Sequence, residues 1–239
     1  MIEKPICISY PKSGRTWLRM ILNSLGIDME YSHIDTGADR KSWGKRFDEL
    51  DVPSVTREKI VFLHRDPRDV VVSMFYEFTK RQLPILDLEQ RAKYEARGLI
   101  PPLTLSEFVR SPRFGIEKTI IFNSRCKEKL NAYVLSYEDL STNPVEQVSK
   151  LIQYLKIDRS FDQVSKAVVE NNFSSMRRRE ATGDIPANMI GRLGPTDPFD
   201  PNSYKVRKGI VGGWTTEMDI ETQNYVNEIM RKYNQIFKV

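Results

Sequence analysis

Residues 10–17 combine a lysine, two hydroxyl side chains and a glycine in the arrangement of a phosphate-binding loop. The stretch reads Tyr-Pro-Lys-Ser-Gly-Arg-Thr-Trp; a buried strand is predicted before it over 5–10, and an apolar stripe of helical period follows it. Gly14 lets the backbone curl around an anion, Lys12 adds a mobile charge and Thr16 places a hydroxyl at the helix start. We therefore expect backbone N–H groups and a helix N-terminus to face an anionic ligand.

Residues 65–73, which read Arg-Asp-Pro-Arg-Asp-Val-Val-Val-Ser, form a second stretch of this kind. Arg65 ends a predicted buried strand, a position from which a guanidinium can clamp a phosphate. Asp66 is the predicted N-cap of the next helix, and Asp69 stands at the capping-box position. Ser73 lies about two turns into that helix.

Residues 206–214, which read Val-Arg-Lys-Gly-Ile-Val-Gly-Gly-Trp, form the third stretch. The adjacent Arg207 and Lys208, beside the flexible Gly209, suit the capture of a phosphate group. They close a segment over 182–208 that is rich in glycine and proline. We predict that this segment is a loop that closes over a bound ligand.

Predicted strands alternate with predicted helices along the chain. Buried strands are expected over 5–10, 59–65 and 132–136. Beyond those that follow the first two basic stretches, helices are expected near 84–97, 104–110, 116–130, 144–156, 159–171, 174–180 and 219–237. This order predicts an α/β fold with three αβα layers around a central parallel sheet. No linker divides the chain, so residues 1–239 are expected to form a single domain.

The composition is that of a folded and mildly basic protein. Of the 239 residues, 40% are hydrophobic and 29% are charged, with a net charge of +5, which excludes a disordered chain and permits an anionic ligand. No apolar run approaches the roughly 18 residues of a membrane span, and no signal peptide is predicted. Cys7 and Cys126 alone make neither a disulfide framework nor a zinc site, so a cytoplasmic location is expected.

Four strings, in this order, resemble those of the cytosolic-type sulfotransferases, which use 3′-phosphoadenosine 5′-phosphosulfate (PAPS). They are YPKSGRTW over 10–17, RDPRDVVVS over 65–73, YEDL over 137–140 and RKGIVGGW over 207–214. The resemblance covers most of the chain and implies a compact, bacterial-like member with a P-loop-like phosphate-binding loop. It also implies PAPS as the donor, 3′,5′-adenosine bisphosphate (PAP) as the product, and no requirement for a metal.

The resemblance assigns a part of the nucleotide to each string. The loop that would hold the 5′-phosphosulfate comprises Lys12, Ser13, Gly14, Arg15 and Thr16. The residues that would hold the 3′-phosphate are Arg65, Ser73, Arg207, Lys208 and Gly209. The residues that would contact the adenine are Trp17, Tyr137, Asn171 and Phe173.

The family's catalytic base is a histidine on a strand between the first two strings, and His33 matches it. A neutral imidazole with an ordinary pKa of about 6.5 can take a proton from an acceptor hydroxyl. Glu30 and Asp35 are the carboxylate alternatives, because related carbohydrate sulfotransferases use a glutamate. Lys12 would stabilise the charge on the leaving phosphate oxygen. His64 is expected either to serve packing or to support the site residues from behind.

The acceptor is expected to be a small molecule or a glycan that offers a hydroxyl or an amine. In this family variable loops shape the acceptor pocket, and here they correspond to residues 33–58, 80–103 and 182–205. No nucleic-acid or membrane partner is expected. The oligomeric state stays open, because the family's dimer motif has lost its charged ends in this chain.

Two other classes of function stay open from the residues alone. A P-loop-type kinase of a small molecule would share the architecture, although such kinases place Lys and then Ser or Thr after the last loop glycine, where this chain has Arg15. The other class binds a nucleotide or a nucleic acid without catalysis, and includes a sulfotransferase relative that has lost its base. A stacked aromatic platform for nucleic acid is absent from the sequence.

Overall fold

A computed structural model describes residues 3–33, 55, 57–189 and 192–237. Its central sheet has four parallel strands in the order β2-β1-β3-β4. The strands are β1 (Ile6–Ser9), β2 (Glu30–Ser32), β3 (Ile60–His64) and β4 (Tyr133–Ser136). Helices flank this sheet, so the three-layer α/β fold predicted from the sequence is confirmed.

The helices begin and end close to their predicted bounds. Before β4 they are α1 (Arg15–Ser24), α2 (Pro67–Tyr76), α3 (Leu88–Ala96), α4 (Leu105–Arg110) and α5 (Ile116–Lys129). After β4 they are α6 (Tyr137–Thr142), α7 (Pro144–Leu155), α8 (Phe161–Glu170), α9 (Phe173–Thr182) and α10 (Ile220–Phe237). Among the helices of these described ranges, none is long and apolar enough to cross a membrane.

The sheet separates two apolar layers, because successive side chains of a strand point to opposite faces. Ile8 and Phe62 pack on one face with α2, α4, α5 and α10. Cys7, Val61 and Leu63 pack on the other face with α1, α7 and α8. All five side chains are fully buried. Burial of one such aliphatic or aromatic side chain is worth roughly 1.5–3 kcal/mol, which makes these layers the main source of stability.

The order of the strands changes direction at β1, which has β2 on one side and β3 on the other. In an open parallel sheet a crevice forms at the carboxyl edge where the order changes direction. The loops that leave β1 and β3 at this edge carry the first two basic stretches, 10–17 and 65–73. The topology therefore brings together two stretches that lie far apart in the sequence.

The α2 region differs from its prediction in two ways. The predicted capping box is wrong: the Asp66 side chain accepts the N–H of Arg68, whereas Asp69 accepts the N–H groups of Gly212 and Trp214 at 2.8 and 3.1 Å. Asp69 therefore bonds to residues distant in the sequence instead of capping the start of its own helix. The helix also changes at Glu77–Gln82 into a π-helix, whose wider turns bond each residue to the fifth one before it.

Candidate active site

A cavity of about 680 Å³, here called the main cavity, opens at the carboxyl edge of the sheet. Its lining comes from the loop after β1, His33 after β2, the stretch from Arg65 into the π-helix, residues 137–144, Val168 with the start of α9, and the segment 205–214. The lining residues that the sequence predicted are Lys12, Gly14, Arg15, Thr16, Trp17, His33, Arg65, Ser73, Tyr137, Phe173, Arg207, Lys208 and Gly209.

The loop after β1 has the backbone shape of an anion-binding nest. Lys12 and Gly14 adopt left-handed conformations, with φ of 69° and 95°. Gly14 is also the N-cap of α1 and receives no side-chain cap, so the first N–H groups of the helix point out of the loop. Ser13 is fully buried and its Oγ has no hydrogen-bond partner, although its side chain does not line the main cavity.

Glycine and aromatic residues from four separate stretches interlock at one wall of this cavity. A Cβ on Gly14 would lie 2.5 Å from the Tyr137 ring, so only glycine fits there. The Tyr137 hydroxyl donates to the carbonyl oxygen of Gly209 at 3.2 Å. A Cβ on Gly209 would lie 2.5 Å from the ring of Phe173. The Trp17 ring meets Tyr137 edge-on with centroids 5.9 Å apart, and its indole N–H has no hydrogen-bond partner among the residues that the structure describes.

Arg65 ties the second stretch to the third. Its guanidinium lies 4.2 Å above the Tyr137 ring and donates to the carbonyl oxygen of Ile210 at 2.9 Å. It also lies 3.4 Å from Asp69, whose carboxylate accepts the N–H groups of Gly212 and Trp214. Its Nε is buried and has no hydrogen-bond acceptor among the described residues.

The basic pair of the third stretch meets an acid that sequence reasoning missed. Arg207 and Lys208 lie 2.6 and 2.5 Å from Oε1 of Glu217. The Arg207 guanidinium also lies 4.1 Å from the centre of the Tyr76 ring. Burial alone would raise the pKa of Glu217, but hydrogen bonds from Lys208, Arg207 and Tyr76 lower it to about 2. The carboxylate therefore stays ionised and holds both basic side chains at the cavity.

Glu77 is a second acid that the sequence did not single out. Its Oε2 accepts from the Lys12 ammonium at 2.8 Å and lies 3.2 Å from Arg81, while its Oε1 accepts from Gln82. Burial would raise the pKa of Glu77, but the charges of Lys12, Arg81 and Lys205 outweigh burial and hold the pKa well below its usual range. The π-helix brings this carboxylate into the cavity, and that local change carries no signal in the apolar pattern.

His33 lies at the cavity in the tautomer that a base requires. Its Nδ1 donates to the carbonyl oxygen of Ser9 at 2.9 Å, so Nε2 carries the lone pair. That Nε2 accepts from Nη2 of Arg15 at 2.5 Å. Burial and then the charge of Arg15 lower the pKa of His33 to about 3. The ring is therefore neutral at physiological pH.

Other predicted residues lie apart from the main cavity. Asn171 is fully buried; its amide nitrogen donates to Ser24 and its oxygen accepts from Arg179, while the neighbouring Asn172 lines the cavity instead. Glu30 forms an ion pair with Arg57 at 3.1 Å and does not line the cavity.

The two remaining predicted residues have different outcomes. His64 stacks on Phe62 with ring centroids 5.7 Å apart, as its packing role predicted, and burial lowers its pKa to about 4. Asp35 lies outside the described residues. Within the described part of the chain, no three His, Cys, Asp or Glu side chains form a group that could hold a metal.

Comparison with known proteins points to one family. A family model described as "Sulfotransferase domain" matches residues 49–237. Rabbit (Oryctolagus cuniculus) amine sulfotransferase is 23% identical, over 94% of this chain and 78% of that protein. Rat (Rattus norvegicus) sulfotransferase 1E1 is 26% identical, over 87% of this chain and 76% of that protein.

Solved structures share the fold. Mouse sulfotransferase SULT7A1, complexed with PAP, has a TM-score of 0.61 and 18% identity, covering 98% of this chain and 84% of that one. Retinol dehydratase, in complex with androsterone and PAP, has a TM-score of 0.57 and 18% identity, covering 99% and 82%. At these identities the likeness establishes the fold.

Proposed function

The chain belongs to the sulfotransferase domain family, and we propose that its main cavity binds PAPS and carries the transfer of a sulfuryl group to an acceptor hydroxyl or amine. One observation carries this proposal: the interlocked wall of Gly14, Tyr137, Gly209 and Phe173 joins the first and third basic stretches around one cavity, and Arg65 of the second stretch lies over the Tyr137 ring in that wall. The alternative function, a small-molecule kinase, is not supported, because the matched family transfers sulfuryl groups.

The residues present fit a nucleotide with two phosphate-bearing ends. The nest at Lys12 and Gly14 offers backbone N–H groups to the phosphosulfate. Arg65, Arg207 and Lys208 line the cavity and offer charge to the 3′-phosphate, and the buried Nε of Arg65 lacks an acceptor among the described residues. A buried donor without a partner is costly, and a bound phosphate oxygen would remove that cost.

Lys12 and His33 would have separate roles in the transfer, charge stabilisation and proton acceptance. PAPS would supply the sulfuryl group: its bond from sulfur to the bridging phosphate oxygen breaks while a bond from sulfur to the acceptor oxygen or nitrogen forms. The Lys12 ammonium would stabilise the charge left on the phosphate oxygen. The Nε2 lone pair of His33 would accept the acceptor proton once Arg15 moves aside. Glu30 and Asp35 stay as carboxylate alternatives to this base.

The names of the similar proteins support one class of acceptor. Their printed names include an amine sulfotransferase and a hydroxysteroid sulfotransferase, so a small-molecule acceptor is the proposal for this chain. A glycan acceptor, a cytoplasmic location and the organisation of residues 1–239 as one domain remain predictions.

The proposal is tested by PAP formation from PAPS over a panel of phenol, alcohol and amine acceptors. Lys12→Ala should lower turnover by about 100-fold, as for the loss of an oxyanion donor. His33→Ala should abolish most turnover while PAP still binds. Lys93→Ala, on the exposed surface of α3, is the control and should keep full activity. Full activity in both active-site variants would contradict these assignments, and turnover lost only with Glu30 or Asp35 would move the base to a carboxylate.

A further inference from the structure

A second cavity of about 310 Å³, here called the edge cavity, lies beside the outer strand β2. Its lining is polar and basic. The lining residues are Arg15, Arg19, Asn23, Asp28, Met29, Tyr31 and Arg192. The basic stretches that built the main cavity do not account for Arg19 or Arg192.

Three arginines line this cavity, and none of them is paired with a carboxylate of the described residues. Asp28 is the one acid among the described lining residues, and its Oδ2 is paired with Lys4 at 2.6 Å. No described carboxylate forms an ion pair with Arg15, Arg19 or Arg192. Burial and then the charge of Arg19 lower the pKa of Arg15 to about 10.

One polar atom of the lining is also buried without a hydrogen-bond partner among the described residues, namely Nη1 of Arg15. The Arg19 guanidinium lies 3.9 Å from the centre of the Tyr31 ring, a cation–π contact that fixes its position beside Arg15. Since buried donors are normally satisfied, the unpartnered Nη1 of Arg15 indicates a ligand rather than packing.

Arg15 connects the two cavities. It lines both of them, and its Nη2 touches Nε2 of His33 while its Nη1 is the unpartnered donor. An anion that draws the Arg15 guanidinium toward the edge cavity would also uncover the His33 lone pair.

We propose that the edge cavity binds an anionic group, a carboxylate, sulfate ester or phosphate ester, that is carried by the acceptor. The acceptor is then a hydroxyl or amine compound that already bears negative charge. The inference rests on the proposed function for the identity of the reaction. The presence of an anion site at Arg19 and Arg192 can be tested without it.

Binding is tested first, by calorimetric titration of inorganic sulfate into PAP-saturated protein at constant ionic strength. Wild type should bind sulfate, and Arg19→Gln/Arg192→Gln should bind it about tenfold or more weakly, because charged hydrogen bonds are lost. Arg91→Gln/Lys93→Gln, which removes the same two charges from the exposed face of α3, should bind like wild type. Equal affinity in all three proteins would overturn the site.

PAP binding separates this proposal from the proposed function. If wild type fails to bind PAP, the proposed function fails, and the same sulfate comparison between the variants is then made on protein without PAP. If the Arg19/Arg192 variant binds PAP normally but has lost sulfate, the fold and the main cavity are intact and the edge site is supported. If it binds both normally, the edge site is overturned.

The source of the anion is tested with matched acceptors, such as 4-hydroxybenzoate and 4-hydroxybenzamide, and with longer hydroxy acids and their amides. Wild type should show a lower KM for the acid than for the amide, and sulfate should compete with the acid. The Arg19→Gln/Arg192→Gln variant should lose that preference. Sulfate binding without any preference for the acid would overturn the acceptor assignment and leave a free anion as the occupant.

Discussion

Gly209 adopts a left-handed conformation, with φ of 65°, against the ring of Phe173. We expect Gly209→Ala to weaken PAP binding by tenfold or more, because the added Cβ would lie 2.5 Å from that ring and must displace either the ring or the basic turn. Gly183→Ala is the matched control: its φ of 73° carries the same backbone cost, but no atom lies within 4 Å of the new Cβ.

Calorimetric titration with PAP measures the effect of both glycine variants. The control should lose stability, by roughly 1–2 kcal/mol for the left-handed backbone, and keep its PAP affinity. If Gly209→Ala bound PAP as well as Gly183→Ala does, the turn at Gly209 would not belong to the nucleotide site.

Lys205 should make nucleotide binding in the main cavity depend on pH. Burial and then the charge of Lys12 lower the pKa of Lys205 to about 8, so the free protein loses this positive charge as pH rises above that value. An anionic nucleotide should bind the protonated form more tightly, and its affinity should therefore fall by up to about tenfold between pH 7 and pH 9. Because the phosphates of PAP are already ionised above pH 7, the change belongs to the protein.

Lys205→Gln provides the comparison for this pH profile. The variant should bind PAP more weakly at pH 7 and show no further weakening up to pH 9. A profile that kept the same slope in the variant would assign the titration to a different group.

At the scale of elements, Asp69 joins α2 to the loop that carries the third basic stretch. Its carboxylate accepts the N–H groups of Gly212 and Trp214 and lies near Arg65. Asp69→Ala should destabilise the fold by about 1–3 kcal/mol, because two buried donors lose their acceptor. It should also weaken PAP binding, since the loop with Arg207 and Lys208 loses its anchor.

Asp66→Ala is the control for that element. It removes the N-cap of α2, at a cost of about 0.5–2 kcal/mol, and leaves the hydrogen bonds from Gly212 and Trp214 to Asp69 in place. Urea unfolding should therefore report a loss in both variants, whereas PAP titration should report a loss in Asp69→Ala alone. Equal PAP affinities would show that the anchor is not needed for binding.

The elements that the sequence predicted well are those with strong local signals. The buried strands at Ile6–Ser9 and Ile60–His64 are continuous apolar runs, and α7 begins at Pro144 after the turn residue Asn143. The elements it missed depend on distant partners. The role of Asp69 is set by Gly212 and Trp214, more than a hundred residues away, and the π-helix at Glu77–Gln82 continues α2 without any change in pattern.

At the scale of the whole molecule, the sheet topology explains why the basic stretches could be predicted to share one site. Their acidic partners could not be predicted in this way. Parallel strands deliver their following loops to one edge, so Lys12 and Arg65 had to meet once the sheet was predicted. Glu77 and Glu217 reach the same cavity only through the packing of the π-helix and the turn before α10. The edge cavity is likewise assembled from α1, β2 and Arg192, and no single stretch of sequence predicts it.

The most direct measurement is thermal unfolding of the protein with PAP, with ATP and Mg²⁺ as the comparison. At 100 times its dissociation constant, PAP should stabilise the fold by about 2.7 kcal/mol, and Mg-ATP should give a clearly smaller rise. That result would establish the main cavity as a PAPS site and open the search for an anionic acceptor. No stabilisation by PAP, or stabilisation by Mg-ATP alone, would contradict the assignment of this cavity to the sulfuryl donor.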